Sequence, residues 1–289
     1  MTKTEIARLI GLCGGGRISE IVLEMEEREQ KRPRAEIYGE MAGLLSIMRQ
    51  SAEQGLANDK PSTSGLTGWN AGLMSADPHF ALLGELGKHA MVTALAIAEE
   101  NARMGLIVAA PTAGSCGILP GVLIAVSGRL NIPEDKQVMS MFTAGAIGKA
   151  IAEKATLAGA DGGCQAECGS ASAMAAAACV ELLDGSPEMC AHGAALALKF
   201  VMGMVCDPVG GLVEVPCVKR NASGAINALT AASMALAGIK SVIPCDEVIA
   251  AMGQVGKYIP PELRETARAG LAVTPTAKHM LCHTNGKPG

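Results

Sequence analysis

Three cysteines stand in two glycine-rich segments of this 289-residue chain. Cys164 lies in GADGGCQAECGSASA, and Cys206 and Cys217 lie in VCDPVGGLVEVPCVKRN. Thiolates are soft ligands that select iron–sulfur clusters, zinc or Cu(I), and glycines let the backbone approach a bulky ligand closely. A cluster held by only three protein thiolates keeps one iron open, and an open iron is a Lewis acid suited to catalysis. Since the spacing matches neither a CxxC pair nor a ferredoxin run, the residues alone leave three alternatives: an iron–sulfur cluster, a zinc site, and buried structural cysteines.

The remaining cysteines divide into one further candidate ligand and a structural group. Cys168 follows Cys164 by one helical turn, so both thiols would lie on one side of a helix and Cys168 could replace one of the three ligands. We expect the others to be small buried hydrophobes: Cys13, Cys116, Cys179, Cys190 and Cys245. The N-terminal segment lacks the apolar core of a signal peptide, which predicts a cytoplasmic protein with reduced thiols.

Small and hydroxylic residues precede the apolar run Ile118–Val126. At the junction of a loop and a helix, such residues present backbone N–H groups that bind carboxylates or phosphates. An ordinary helix cap is the alternative. The candidate substrate-binding residues here are Thr112, Ala113, Gly114 and Ser115.

A second polar segment carries the hydroxyls of Ser62, Ser64 and Thr67 and suits recognition of a small polar molecule, with a solvated linker as the alternative. Among the five histidines, His192 lies on a predicted helix close in sequence to Cys206 and is the candidate general base. A lone histidine on an apolar helix is more often a core residue.

Helices must position these groups. Apolar residues recur at spacings of three and four from Arg34 to Leu56 and from Gly84 to Met104, and further helices are expected from Pro133 towards Leu157 and from Ser186 through Val201. Strand signals are weak. The sequence therefore predicts a mainly α fold, a compact multi-helix catalytic domain in which glycine-rich loops carry the chemistry.

Composition sets the remaining expectations. Aromatic residues make up only 2% of the chain, so the core must be built from small and aliphatic side chains that let helices pack closely. A net charge of −4, without a basic patch interleaved with aromatics, argues against nucleic acid as a partner. Prolines and glycines interrupt the longest apolar run, so no membrane span is expected. We predict an N-terminal helical segment (1–58) packed on the main body, a catalytic domain (59–278) and a mobile polar tail (279–289).

Several segments together resemble the α chain of the iron–sulfur-dependent L-serine dehydratases: AAPTAGSCGILPGVL, FTAGAIG, AEKATLAGADGGCQAECGSASAMAAAA, CDPVGGLVEVPCVKRNA and SVIPCDEVIAAMGQVG. The resemblance covers the chain from about Ser62 to about Thr276. It implies a [4Fe–4S] cluster held by Cys164, Cys206 and Cys217, and conversion of L-serine to pyruvate and ammonia without pyridoxal phosphate.

The resemblance also implies a partner. Single-chain members carry a small N-terminal α/β domain that does not precede residue 60 here, so a separate β chain is expected. In some single-chain members a C-terminal cysteine caps the open iron, whereas Cys282 here stands before the end of the chain.

The implied mechanism has the open iron take the hydroxyl of L-serine while a base removes the α-proton. The base would be His192, a lysine or a group on the β chain. The segment 112–115 would hold the carboxylate, the hydroxyls of Ser62, Ser64 and Thr67 would line the same pocket, and oxygen would inactivate the enzyme. The alternatives are the same chemistry on threonine or cysteine, and a non-catalytic metal-binding subunit.

Overall fold

A computed structural model describes residues 4–79 and 82–284, with side chains up to residue 280. The described residues form thirteen α-helices: α1 (Ile6–Cys13), α2 (Ile18–Gln30), α3 (Arg34–Ala57), α4 (Asn70–Ala76), α5 (Gly84–Ala102), α6 (Ile118–Leu130), α7 (Glu134–Lys154), α8 (Gly159–Gly162), α9 (Ser170–Leu182), α10 (Pro187–Phe200), α11 (Cys217–Leu236), α12 (Cys245–Tyr258) and α13 (Pro275–Thr284).

The mainly α prediction is confirmed. Helix accounts for 71% of the described residues, and the extended pairing among them is limited to one isolated bridge between Cys206 and Arg264. The predicted periodic segments correspond to α3, α5, α7 and α10. Ser186 caps α10 as expected, because its Oγ accepts the N–H of Met189 at 3.3 Å and a proline follows in the first turn.

Helix α9 lies at the centre of the core, and every residue from Ser170 to Leu182 is buried. Its neighbours are α6, α7, α10 and α11. Six of its thirteen residues are alanine and two are serine (SASAMAAAACVEL), and these small side chains let four helices pack closely around it. The cysteine-bearing turn at 164–169 leads directly into α9, so the most buried helix of the core fixes the start of the site.

Helices α5 and α6 make a close backbone contact near a second site segment. A Cβ at Gly117 would lie 2.2 Å from the carbonyl oxygen of Ala94 on α5. Only glycine therefore allows α6 to begin where it does, directly after the 112–115 segment.

Two predicted boundaries differ in detail from the structure. The turn-rich stretch from Gly55 to Asp77 contains the end of α3 and the whole of α4. The predicted tail from His279 begins inside α13, which continues to Thr284. The division of the chain into 1–58, 59–278 and 279–289 stays a prediction, and the side chain of Cys282 lies outside the described side chains.

One described segment, Ala113–Leu130, is apolar and long enough to cross a membrane by composition and length, with a mean hydropathy of 1.4. Because 67% of this segment is buried inside the fold, it is accounted for as a core helix.

Candidate active site

The structure gathers the cysteines that the sequence analysis singled out, together with Cys168. Cys164 and Cys168 lie on the turn before α9 with their sulfur atoms 3.3 Å apart. Cys206 follows α10, and Cys217 is the first residue of α11. The four are between 2% and 6% exposed. We refer to Cys164, Cys168, Cys206 and Cys217 as the cysteine site.

A buried glutamine holds the turn that carries two of these cysteines. Gln165 donates from Nε2 to the carbonyl oxygens of Gly162 at 3.0 Å and Met252 at 3.1 Å, and its Oε1 accepts the N–H of Gly203 at 2.8 Å. The turn Gln165–Gly169 has the wider hydrogen-bond pattern of a π-helix, a local form that often marks functional sites.

The thiols and the charged groups beside them shift one another's pKa values. Hydrogen bonding with Cys168, and then the Arg220 guanidinium, lower the pKa of the Cys164 thiol against the effect of burial. Burial, followed by the charge of Cys164, raises the pKa of Cys206 and raises that of Cys217 to about 12. Several thiolates in this buried space therefore need a cation to accompany them.

Two carboxylates border the cysteine site. Ligand atoms of Glu167, Cys206 and Glu265 all lie within 4.8 Å of one another. Burial, and then the charge of Glu265, raise the pKa of Glu167, while a hydrogen bond from the Thr112 hydroxyl opposes the rise. A Cβ at Gly159 would lie 2.9 Å from Oε2 of Glu167 and 3.1 Å from the sulfur of Cys206, so only glycine leaves this edge of the site clear.

These residues fit an iron–sulfur cluster. The donor set is rich in buried sulfur, which matches the soft ligands that such clusters use. Glycine at position 159 leaves space beside the sulfur of Cys206. Zinc is compatible with the same sulfur donors, so the donor chemistry by itself leaves the choice of metal open.

Arg220 supplies the positive charge nearest these sulfurs. Its Nη1 donates to the carbonyl oxygen of Val205 at 3.0 Å, and its Nη2 donates to Oδ1 of Asp207 at 3.0 Å. The other oxygen of Asp207 accepts the N–H of Leu271 at 2.8 Å. Arg220 thus binds both residues that flank Cys206, through the backbone of Val205 and the side chain of Asp207.

The 112–115 segment lies against the cysteine site. The hydroxyl oxygens of Thr112 and Ser115 are 3.0 Å apart, and a Cβ at Gly114 would lie 3.3 Å from Oε1 of Glu167. The segment ends in a short 3₁₀ turn, Ala113–Ser115.

Asn221 connects this segment to the helix that begins with Cys217. Its Nδ2 donates to the carbonyl oxygens of Gly114 at 2.8 Å and Cys217 at 3.0 Å, and its Oδ1 accepts the N–H of Gly117 at 2.9 Å. The expected carboxylate segment and a candidate metal ligand are therefore held in register by one side chain.

The Ser62–Thr67 loop is held by two buried carboxylates. Oε1 of Glu99, on α5, accepts from the Thr67 hydroxyl at 3.0 Å and from the N–H groups of Gly68 at 3.0 Å and Asn70 at 2.8 Å, and Oε2 accepts the N–H of Ala71 at 3.2 Å. Burial alone would raise the pKa of Glu99, but these hydrogen bonds, those of Asn70 foremost, lower it.

The second carboxylate of the loop belongs to Glu214, which accepts the hydroxyl protons of both Ser62 and Ser64. Ser62 is 4% and Thr67 is 1% exposed, whereas Ser64 is partly exposed. Two of the three predicted substrate hydroxyls are therefore engaged inside the fold, and Ser64 is the one that meets solvent.

His192 lies on α10 with a different set of neighbours. Its Nδ1 accepts the N–H of Ser241 at 3.4 Å. Burial, and then Lys240, lower its pKa, and Glu188 opposes them. None of these neighbours borders the cysteine site.

Sequence reasoning missed three acids of the site, of which Glu99 and Glu214 are buried and Glu167 is half-buried. Each interrupts an otherwise apolar or small-residue run: Glu99 in ALAIAEEN, Glu167 in CQAECGSA and Glu214 in GGLVEVPC. An acidic residue in a segment that must be buried needs partners there, and that requirement was the available signal.

A cavity of about 420 Å³ opens beside α3, α5 and α6 and is lined by Arg49, His89, Thr93 and Ser127 among others. Its lining includes none of the cysteines, so this cavity is separate from the cysteine site.

Several known proteins are similar to this chain over most of its length. Residues 14–272 match the family described as serine dehydratase alpha chain. A probable L-serine dehydratase alpha chain from Bacillus subtilis is 49% identical over 265 residues, which span 91% of this chain and 88% of that protein. The L-serine dehydratase alpha chain of Peptoniphilus asaccharolyticus is 42% identical over 276 residues, or 94% of each chain. An L-serine dehydratase from Streptomyces coelicolor is 36% identical over 94% of this chain but only 60% of its own length.

Proposed function

The chain belongs to the serine dehydratase alpha chain family, and we propose that it is the catalytic chain of a lyase that converts L-serine to pyruvate and ammonia. The observation that carries the proposal is the convergence of four buried cysteines beside the 112–115 segment. One part offers soft metal ligands and the other offers hydroxyl and backbone donors for a carboxylate.

We propose that Cys164, Cys206 and Cys217 hold a [4Fe–4S] cluster. When bound, such a cluster supplies a Lewis-acidic iron with an open position, which favours departure of a hydroxyl group. The sulfur of Cys168 lies 3.3 Å from that of Cys164, close enough for the two thiols to share a hydrogen bond or for Cys168 to take the place of Cys164 as a ligand. Pyridoxal phosphate has no part in the proposal.

The chain's own residues bind and orient the substrate. The segment Thr112, Ala113, Gly114 and Ser115 is proposed to hold the carboxylate. Because the Thr112 hydroxyl donates to Glu167, the proposed donors are the N–H groups of Ala113 and Gly114 and the Ser115 hydroxyl once it turns away from Thr112. Asn221 keeps these donors fixed relative to Cys217. Fixing the reacting group relative to the substrate in this way lowers the entropic part of the barrier.

The reaction is an elimination of water. A base removes the α-proton of L-serine while the β-hydroxyl leaves, and the resulting aminoacrylate tautomerises to the imine. Water hydrolyses the imine to pyruvate and releases ammonia. The candidate cysteine ligands are buried, and so are Ser62 and Thr67 of the substrate loop, which limits competing water around the reacting atoms.

The proposed base is His192, a lysine or a group on the β chain. The N–H of Ser241 points at Nδ1 of His192, so that nitrogen is already accepting a hydrogen bond. This contact argues for one of the other two candidates. His192→Gln should retain turnover within about threefold of the wild type, and loss of turnover with iron content unchanged would instead assign the base to His192.

A separate β chain is the proposed partner. The two relatives named as alpha chains match this chain over 88% and 94% of their lengths, whereas the S. coelicolor relative, named without a chain designation, extends well beyond the match. We further propose a cytoplasmic location and sensitivity to oxygen, since an open iron is readily lost on oxidation.

The proposal is tested by anaerobic purification of the chain with and without a candidate β chain, followed by iron and sulfide assays and measurement of pyruvate release from L-serine, L-threonine and L-cysteine. About four irons per chain with pyruvate formed from serine is the expected result. A loaded cluster with turnover only of threonine or cysteine would change the substrate. Zinc in place of iron after reconstitution would overturn the mechanism.

A further inference from the structure

The hydroxyls of Ser62 and Ser64 are both committed as donors. Each approaches Oε2 of Glu214, and a carboxylate accepts hydrogen bonds without having a proton to donate. The N–H of Ser64 also points to the other oxygen, Oε1, at 3.3 Å. Since a serine hydroxyl carries a single proton, neither side chain has a donor left for a substrate.

Their acceptor capacity is only partly used. The Ser62 oxygen accepts the N–H of Thr67 at 3.3 Å, and the Ser64 oxygen accepts the N–H of Leu66 at 3.1 Å. A hydroxyl oxygen has two lone pairs, so each retains one. Because Ser62 is buried and Ser64 is partly exposed, Ser64 is the residue that can offer this lone pair to a ligand.

The committed proton and the remaining lone pair decide which part of an amino acid the Ser64 hydroxyl can recognise. A carboxylate needs donors, which Ser64 lacks, whereas an ammonium group is a donor and needs acceptors. We infer that Ser64 Oγ accepts a hydrogen bond from the α-ammonium group of L-serine, with Glu214 as the positioning residue that orients the hydroxyl and supplies the complementary negative charge. The inference rests on the proposed function and assigns the ammonium end of the same substrate.

Glu214 lies between the two halves of the proposed substrate pocket. It stands three residues before Cys217 in the segment that joins the short turn Val209–Gly211 to α11. Its neighbour Val213 approaches the carboxylate segment, because a Cβ at Gly114 would lie 3.2 Å from Cγ1 of Val213. One substrate can thus place its carboxylate at the 112–115 segment and its ammonium towards Ser64.

The loop that carries Ser64 is fixed before any ligand arrives. Arg103, at the end of α5, donates to the carbonyl oxygens of Lys60 at 2.8 Å, Asn58 at 2.7 Å and Gly55 at 3.3 Å, and also to that of Gly68. Glu99 holds the other side of the loop through the hydrogen bonds described above. A preformed acceptor costs little ordering when the substrate binds.

The test compares two ligands of the holoenzyme with its cluster and β chain: L-serine, and 3-hydroxypropanoate, which keeps the hydroxyl and the carboxylate but has no ammonium group. Ser64→Ala and Glu214→Gln should each raise KM for L-serine by about tenfold or more. The inhibition constant of 3-hydroxypropanoate should stay within about twofold of the wild type, since the ligand makes no contact with Ser64.

Thr63→Val is the matched control in the same loop. It removes a hydroxyl that donates to the carbonyl oxygen of Ala102 at 3.2 Å and leaves Ser64 and Glu214 intact. Its KM for L-serine should remain within about twofold of the wild type.

Two outcomes overturn the inference. A Ser64→Ala variant that weakens 3-hydroxypropanoate as much as L-serine would show that Ser64 recognises the carboxylate, and an unchanged KM would show that it contacts no substrate. If 3-hydroxypropanoate does not compete in the wild type, the KM values decide alone.

A second readout does not depend on activity. In the full chain without cluster, Glu214→Gln should speed amide hydrogen exchange at Leu66 and Thr67, because their acceptor hydroxyls lose their charged partner. Unchanged exchange would remove Glu214 as a positioning residue. Failure of the proposed function itself appears separately, as a wild type that binds iron but does not turn over L-serine.

Discussion

Asn221 is the side chain whose removal tests the architecture of the site most directly. Asn221→Ala deletes its hydrogen bonds to Gly114, Cys217 and Gly117. The carbonyl oxygen of Gly114 and the N–H of Gly117 are then left in a buried environment. At roughly 1–3 kcal/mol for each unsatisfied buried group, the loss of unfolding free energy should be about 2–6 kcal/mol. That is a large part of the stability of an ordinary domain.

The assay is urea denaturation of the cluster-free chain, followed by circular dichroism, with iron content and KM measured after reconstitution. We expect a lower midpoint, and a KM for L-serine that rises because the carboxylate segment is no longer tied to α11. Asn221→Asp should be at least as damaging, since it places carboxylate oxygen against two carbonyl oxygens.

Asn227→Ala is the control on the same helix. Asn227 donates a single hydrogen bond, to the carbonyl oxygen of Ala197 at 3.0 Å, so its loss should cost about 1 kcal/mol and leave KM unchanged. An Asn221→Ala variant whose unfolding free energy lies within about 1 kcal/mol of the wild type would refute the reasoning, because it would mean that water or a local shift satisfies both backbone groups left without a partner.

The other predictions concern the metal, the packing and the pH dependence of stability. Cys206→Ser should lose most of the bound iron, whereas Cys179→Ala, at an equally buried position outside the cysteine site, should keep it. Equal iron contents of the two variants in elemental analysis would exclude Cys206 as a ligand. Gly117→Ala should cost about 1–3 kcal/mol by overpacking against α5, whereas Gly145→Ala, with open space around it inside α7, should stabilise by about 0.5–1 kcal/mol in the same denaturation assay. Burial would raise the pKa of Asp246, but hydrogen bonds from a lysine of α7 and two N–H groups of α1 lower it below its ordinary 3.8. The ionised carboxylate therefore stabilises the fold above that pH, and this stabilisation is lost as the pH falls through the lower pKa of the folded state. The thermal midpoint of Asp246→Asn should therefore lie below that of the wild type at pH 7, with the gap closing below about pH 4; a gap that is constant with pH would contradict this assignment.

The sequence predicted helices well where one face is apolar and the ends are marked. Helix α3 has a regular apolar stripe, and α10 has serine and proline at its start, so both were predicted within a few residues. Helix α9 gave no such pattern, because a helix that is buried on every side has no polar face to create a period. Its position at the centre depends on four other helices and could not be read from its own residues.

The sequence predicted the cysteines of the candidate site but not its acidic residues. Cys164 and Cys206 stood out by residue type and by the glycines around them, and the structure places them in one charged, buried environment. The contacts of Glu99 and Glu214 depend on loops far away in sequence, so their roles emerged only from the fold. The contacts of His192 with Ser241 and Lys240 likewise emerged only from the fold, since closeness in sequence to Cys206 does not determine which residues a helical side chain meets.

The central position of α9 also bears on when the protein can acquire a metal during its synthesis. Cys164 and Cys168 leave the ribosome before α10 and α11 have been made, and α9 has no partner on those sides until then. The pocket closes only after Cys217 and its helix have emerged and docked, with Arg220 following on the same helix. The proposed cluster would therefore have to be delivered after translation, to a nearly complete fold. Nascent chains that stop before α11 should present exposed thiols to the cell's oxidants.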